Sequence, residues 1–346
     1  PQNPKTPCSF VYLIVINIVS KMISTLCKAT AMAVFCDQEP ASLTQVEERF
    51  SNHLVSFGLS YGTVEEYSYR LAIFAANDAK INAMNQKQTS FQTSHNQFST
   101  LNSEEQERRF GRPQRPISDL DRDTEVFDTT NLTGSVDWRT MGAVNPVQDQ
   151  GQCGSCWAFS SVAAMEGVHQ IKSGNLLKLS EQQFVDCDKT SSGCNGGLEV
   201  WAFAYAKKNA IETESDYPYT AKNGRCSSTA SKGVVKALSY ATVTPRSAPQ
   251  LLAAIAIAPT CVSVNAGDSQ FMFYSSGILS TTTCGTNLDH AITAVGYGSE
   301  NGQNYFIVRN SWGSSWGESG YIRMSSDVGG AGVCGVLLDS TTVQTD

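Results

Sequence analysis

Cys156 stands in the run Gln-Gly-Gln-Cys-Gly-Ser-Cys-Trp-Ala-Phe-Ser (residues 150–160), a setting suited to a cysteine nucleophile. A thiol attacks poorly and a thiolate attacks well, so such a cysteine needs surroundings that favour the anion. The stretch Gly-Ser-Cys-Trp-Ala-Phe-Ser-Ser-Val-Ala-Ala-Met-Glu reads as a helix starting near Cys156, with Ala163, Ala164 and Met165 as helix formers. The positive end of its dipole would then lie at the sulfur. A base must also take the proton. The chain has four histidines: His53 and His95 lie far upstream, and His169 falls within the same helical pattern, facing the surface. His290, 134 residues on (156 to 290), opens the apolar strand-like run Asp-His-Ala-Ile-Thr-Ala-Val-Gly-Tyr-Gly (residues 289–298). Alone it would be an ordinary sheet histidine. Asn310, 154 residues on (156 to 310), begins Asn-Ser-Trp-Gly and could accept a hydrogen bond from the imidazole, fixing its tautomer.

These residues need a helix, a strand and a loop from distant parts of one chain, and the composition allows that. The sequence has 346 residues, 41% of them hydrophobic, enough for a packed core. A net charge of −7 without a basic cluster argues against a nucleic-acid partner. Eleven cysteines point to an oxidising compartment. Residues 1–40 read as targeting sequence. Residues 10–19 form an apolar run interrupted by Asn17, too short to span a membrane and suited to the core of a cleaved signal segment. Met22 is an alternative start, with residues 22–35 as the signal, and Ala31 and Ala33 are small residues suited to a cut. Residues 41–131 are polar and helix-prone, and residues 132–346 are rich in Gly, Cys and aromatics.

Within the middle segment, Glu66, Arg70, Phe74, Asn77, Ile81 and Asn85 recur every three or four positions and would share one helix face. Residues 111–134 carry Pro113, Pro116 and many Asp and Arg residues, and nothing in them suggests a packed element. They read as an extended, cleavable linker running through the active-site cleft.

The Cys156 run, with His290 and Asn310 at these distances, resembles the papain family of cysteine proteases, of cathepsin L-like type. The helix face from Glu66 to Asn85 is similar to the propeptides of that group. The second propeptide motif, Gly-x-Asn-x-Phe-x-Asp, departs at both ends, reading Ser94-x-Asn96-x-Phe98-x-Thr100. The resemblance implies an α+β fold: a small helical prodomain, then a two-lobed peptidase domain with a helical lobe bearing Cys156 and a β-barrel-like lobe bearing His290 and Asn310. It implies a zymogen that hydrolyses peptide bonds through a thioester, with its own prodomain as intramolecular inhibitor. Mature enzymes of the group begin just before a Val-Asp-Trp-Arg stretch, here residues 136–139, which sets the mature start near Leu132. The Asn131-Leu-Thr133 sequon lies at that junction.

The same resemblance gives Gln150 and the Cys156 backbone N–H as an oxyanion hole, and Trp312 as a shield over the His290–Asn310 bond. It places Gly196, Gly197, Asp289 and Trp316 along the substrate. The pocket for the second side chain before the scissile bond (P2) is walled by Leu198, Glu199, Ser263, Leu288 and Ala291. Asp339 lies at its floor, where by the same resemblance its carboxylate could pair with an Arg at P2, unless it turns outward with the polar tail. The implied disulfides are Cys153–Cys194, Cys187–Cys226 and Cys284–Cys334, with Cys261 a buried thiol and Cys8, Cys27 and Cys36 unassigned. Only six residues lie between Cys187 and Cys194 and no His-His insertion follows, as in endopeptidases of the group. No cofactor, metal or stable membrane association is implied. Proteins and peptides are the substrates, a monomer is the expected state, and the destination is the secretory pathway: lysosome, digestive vacuole or export. Two other classes compete. Cys153-Gly-Ser-Cys156 is a Cys-x-x-Cys dithiol pattern, which would suit a thiol–disulfide oxidoreductase. The third reading is a non-catalytic binding protein on the same fold.

Overall fold

The computed structural model describes residues 43–87, 89–115 and 124–346, so the signal-segment readings and Cys8, Cys27 and Cys36 fall outside the described residues. The chain forms two compact units. The first comprises residues 43–89 with 93–103, and the second residues 90–92 with 104–346.

The first unit is built on α1 (Leu43–Ser56) and α2 (Val64–Lys87). Val46 and Phe50 from α1 meet Leu71 and Phe74 from α2 in a buried cluster. The polar members of the periodic face on α2 are bonded. Arg70 donates to Glu66 at 2.6 Å and to the Thr100 carbonyl at 2.9 Å. Asn77 donates to the Ser99 carbonyl, and Asn85 both donates to and accepts from the Thr93 backbone. The buried side of α2 is thus half apolar and half a set of satisfied amides, which fix the following loop rather than another helix. In that loop His95 stands where the departed motif would continue. Its Nε2 lies 3.0 Å from Asp78, whose carboxylate also takes a two-pronged ion pair from Arg49.

In the second unit, α3 (Cys156–Ser173) is the central helix. Its first thirteen residues are all buried, so it is covered on every side rather than half exposed. It ends at Gly174, which takes the left-handed conformation (φ 78°) and donates its N–H to the Gln170 carbonyl. Around it pack α4 (Glu181–Cys187), capped by the Ser180 hydroxyl, and α5 (Glu199–Ala206). Trp157, Met165, Phe184 and Phe203 fill the core between them.

From residue 104 on, the strands of this unit are β1 (Thr124–Glu125), β2 (Val136–Asp137), β3 (Ala237–Val243), β4 (Thr260–Val264), β5 (Tyr274–Leu279), β6 (His290–Glu300), β7 (Gln303–Arg309), β8 (Tyr321–Ser325) and β9 (Ser340–Thr345). They lie in the order β5-β8-β7-β6-β4-β9-β3-β1, with β2 also on β6. The β4–β6 pairing sets Val264 opposite His290 and Ser263 opposite Ala291. The disulfides Cys153–Cys194, Cys187–Cys226 and Cys284–Cys334 are formed, and Cys156 and Cys261 are free. Among the described residues, no helix is long and apolar enough to cross a membrane.

One expectation fails. The linker carries packed structure: its residues 111–115 and 124–134 belong to the second unit, and Thr124 and Glu125 pair in parallel with Thr242 and Val243. Phe127 adds a backbone clamp, donating to and accepting from the Gln250 side chain at 2.7 and 2.9 Å. An extended strand on a sheet edge needs no periodic apolar pattern of its own, because its backbone supplies the bonds.

Candidate active site

The free thiol of Cys156 sits at the first turn of α3, fully buried. Ser155, the residue before it, does not cap the helix, and its hydroxyl pairs instead with the Tyr219 hydroxyl at 2.6 Å. The Trp157 N–H reaches the sulfur, while the Ala158 and Phe159 N–H groups donate to the Ser155 carbonyl. The Cys153–Cys194 disulfide ties the approach to this helix to the loop before α5. It also removes Cys153 from any dithiol with Cys156, so the oxidoreductase reading is overturned.

His290 opens β6 and is fully buried. Its Nε2 lies 2.8 Å from Oδ1 of Asn310, the residue that follows β7. The Ser311 backbone N–H donates to that same Asn310 atom at 2.8 Å, so the atom is the amide oxygen and Nε2 must carry the hydrogen. His290 Nδ1 is then the basic nitrogen, and it has no hydrogen-bond partner among the described residues. Trp312 stacks on the imidazole with ring centroids 4.6 Å apart and is itself buried. Trp316 lies behind Trp312, edge-on at 5.3 Å and fully buried. The Gln150 amide is fixed at both ends: its oxygen accepts from the Ser311 hydroxyl at 2.7 Å, and its nitrogen donates to the Cys153 carbonyl at 2.8 Å.

The linker, together with Arg109 and Phe110 just before it, lies across these groups. Gln150 Nε2 also donates to the Arg109 carbonyl at 2.8 Å. The Gly197 N–H donates to the Gly111 carbonyl at 2.9 Å, and the Arg112 N–H donates to the Asp289 carbonyl at 3.1 Å. Phe110 sits 6.3 Å from the His290 ring. Gly111 is the closest point. A Cβ on it would stand 1.8 Å from the Gly154 carbonyl oxygen, so no side chain fits there.

Burial sets the charge state. It pushes the Cys156 thiol up to about 12, against the Ala291, Gly111 and Trp157 amides that favour the anion. It pulls His290 down to about 4, against the Asn310 hydrogen bond. A neutral thiol and a neutral imidazole are the opposite of the thiolate the sequence suggests. The reason is the linker: residues 109–112 take the place of water over the sulfur, and charge separation there loses its solvation.

Of the predicted P2 residues, Glu199 and Asp339 meet Arg112, and Ser263 bonds to both acids. The Arg112 guanidinium pairs with Asp339 and lies 3.8 Å from Glu199. Asp339 is buried rather than turned outward, and takes a second ion pair from Arg115 at 3.2 Å. Ser263 donates its hydroxyl to Glu199 at 3.4 Å and its backbone N–H to the Asp339 carbonyl at 3.1 Å. Leu198, Leu288 and Ala291 are buried close by in sequence. Gly196 has φ 119°, and a Cβ there would meet the Gly111 carbonyl oxygen at 2.7 Å. Asp289 accepts from the Ala266 and Gly267 amides, and burial lifts its carboxyl to about 6. Sequence reasoning missed Arg109, Phe110, Gly111, Arg112 and Arg115, and the orienting role of Ser311. The one available signal was a basic run, Arg108 to Arg115, in an acidic chain.

Comparison with known proteins agrees with this geometry. Residues 132–343 match the model of the papain family of cysteine proteases, and residues 50–106 match the cathepsin propeptide inhibitor domain. Chymopapain from Carica papaya is 40% identical over 88% of this chain and 89% of its own. A KDEL-tailed cysteine endopeptidase from Arabidopsis thaliana, CEP2, is 40% identical over 81% of each. The solved recombinant stem bromelain precursor superposes with a TM-score of 0.79 at 36% identity, covering 87% of this chain and 99% of that one. The peptidase match spans more than half of the sequence, and the chain belongs to the papain family of cysteine proteases, as an endopeptidase zymogen with its own propeptide inhibitor domain.

Proposed function

We propose that Cys156 is the nucleophile, His290 the general base and acid, Asn310 the residue that orients His290, and Gln150 with the Cys156 backbone N–H the oxyanion hole. Once the linker leaves, water and substrate enter. The thiol proton passes to His290 Nδ1, and the sulfur adds to the scissile carbonyl carbon. The oxyanion is held by Gln150 and the Cys156 amide, and His290 gives its proton to the leaving amine. The thioester is then cleaved by a water that His290 deprotonates. The observation that carries this is the Nε2–H bond from His290 to Asn310, which leaves Nδ1 as the basic nitrogen, on the strand whose next residue, Ala291, gives its backbone N–H to the Cys156 sulfur.

The peptidase domain runs from about residue 132 to 346, released by a cut near Leu132, with residues 41–131 as inhibitory prodomain and linker. The backbones of Gly197 and Asp289 would bind extended substrate as they bind the linker, with Gly196, Trp312 and Trp316 shaping the cleft. Leu198, Leu288 and Ala291 give the P2 pocket apolar walls suited to Leu or Phe. Proteins and peptides are the substrates and the mature enzyme acts as a monomer. The route is the secretory pathway, ending in a vacuole, lysosome or the exterior. Three disulfides and a KDEL-tailed relative support that route. The test is acid activation of the precursor followed by digestion of a denatured protein. Internal fragments should appear at once, and a Cys156→Ala precursor should yield none. Fragments from the alanine variant would overturn the assignment.

A further inference from the structure

The two proposed oxyanion donors, the Gln150 side chain and the Cys156 N–H, stand at the two ends of an irregular loop. Strand pairing stops at Asp149, which bridges to Trp312, and α3 begins only at Cys156. In the middle of the loop, Cys153 and Gly154 are held to Cys194 by the disulfide and by a backbone hydrogen bond of 2.9 Å. Its two ends are bonded by one distant side chain. The Tyr219 hydroxyl donates to the Gln150 backbone carbonyl at 2.8 Å and lies 2.6 Å from the Ser155 hydroxyl. A phenol has one hydrogen and a carbonyl only accepts, so that hydrogen goes to Gln150 and Ser155 donates to Tyr219. We propose that Tyr219 is a positioning residue of the reaction, whose phenol oxygen fixes the spacing and aim of the two oxyanion donors. The inference rests on the reading of Gln150 and the Cys156 N–H as that hole.

Tyr219 is itself well anchored. Its ring stands edge-on to Phe159 of α3, with centroids 4.8 Å apart. Its backbone N–H donates to the Glu214 carboxylate at 2.9 Å, and the next N–H, of Thr220, donates to the Gln182 side chain at 2.8 Å. Burial raises the phenol above its usual value, so it stays protonated and keeps its hydrogen on Gln150. Gln150 and Ser155 are both fully buried. Without the phenol, the Gln150 carbonyl loses a donor and the Ser155 hydroxyl an acceptor, and water does not reach either group to replace it. The loop would then settle around other partners and carry both donors off their line. Oxyanion stabilisation depends on donors held in place before charge develops, so the loss falls on the transition state more than on bound substrate.

The test compares acid-matured wild type, Tyr219→Phe, Ser155→Ala, Gln150→Ala and the Gln150→Ala/Tyr219→Phe double variant on a peptide amide reporter. Tyr219→Phe keeps the ring against Phe159 and removes only the hydroxyl. Its kcat should fall about tenfold with KM unchanged. Alkylation of Cys156 by iodoacetamide should keep its rate and pH profile, because displacement of iodide by the thiolate develops no oxyanion. Ser155→Ala should lose about threefold in kcat alone. In the Gln150→Ala background, Tyr219→Phe should cost about threefold or less, since one of the donors it positions is already gone. An unchanged kcat in Tyr219→Phe overturns the proposal. So does a fall in kcat matched by an equal fall in alkylation rate, which would make Tyr219 a support of the helix and its thiol. Full additivity with Gln150→Ala overturns it as well. Should the Tyr219→Phe precursor fail to fold, an unchanged kcat in Ser155→Ala overturns it. A wild-type kcat in Gln150→Ala overturns the oxyanion reading, and the proposal with it.

Discussion

Gln150 Nε2 donates to the carbonyl of Arg109 at 2.8 Å, so the proposed oxyanion donor already holds a peptide oxygen in the precursor. That oxygen belongs to an intact linker residue, and the contact is that of a bound peptide. In the matured enzyme the same donor would be free. Gln150→Ala should therefore lower kcat about 10²–10³-fold, the cost of one lost oxyanion donor, roughly 3–4 kcal/mol, and leave KM nearly unchanged. Steady-state kinetics on a peptide reporter check this. A loss confined to KM would make Gln150 a binding residue only.

Gly111 controls how closely the linker lies on the site. Its absent Cβ would fall 1.8 Å from the Gly154 carbonyl and its carbonyl oxygen bonds the Gly197 amide. A Gly111→Val precursor cannot seat the linker in this way. It should react with a thiol-directed peptidyl epoxide at neutral pH at least about tenfold faster than the wild-type precursor. Equal rates would mean that the linker contact does not control access.

Acid should loosen the first unit through His53. This imidazole is buried against Phe57 and Phe74, its Nε2 has no partner among the described residues, and His95 lies 6.0 Å away. Burial first, then the His95 charge, lowers it from 6.5 to about 4. The unfolded segment takes a proton below 6.5 that the folded one refuses until about 4. Stability is thus lost as pH falls through that window, by an amount on the order of 2–3 kcal/mol. Asp78 works in the same direction but later. Its ion pairs with His95 and Arg49 hold it below the usual carboxylate range despite burial, so they are lost only under stronger acid. His53→Leu should move the pH of half-maximal conversion of the full precursor down by about one unit. Gel densitometry against pH reads it, and an unmoved midpoint removes His53 from the mechanism.

The groups with direct chemistry were readable in the sequence because each lies in a short, distinctive run: Cys156 in its helix start, His290 in an apolar strand, Asn310 before Ser-Trp-Gly. The α2 face was readable because helical spacing is periodic. The linker was not. A peptide in a cleft has no period, and the burial of Arg112 is decided by Asp339, 227 positions away. Glu199 reads as a pocket wall because nothing local marks its approach to Arg112, 87 positions earlier in the chain (112 to 199). The β1 pairing was hidden for the same reason, since Thr124 and Glu125 gain order only from Thr242 and Val243. The neutral state of Cys156 follows from what covers it rather than from its own motif.

The most direct test of the central claim is the pH dependence of Cys156 alkylation, read by mass spectrometry in precursor, matured enzyme and matured His290→Ala. In the precursor, with the thiol raised to about 12 and the imidazole lowered to about 4, Cys156 should be nearly inert below pH 8. In the matured enzyme, one adduct should form on Cys156 rapidly at pH 5–6, as expected of a His-paired thiolate. The His290→Ala enzyme should react only as a free thiol does, with a midpoint near about 8.5. An adduct on Cys261 instead, or identical profiles with and without His290, would contradict the assignment of Cys156 and His290 as one catalytic unit.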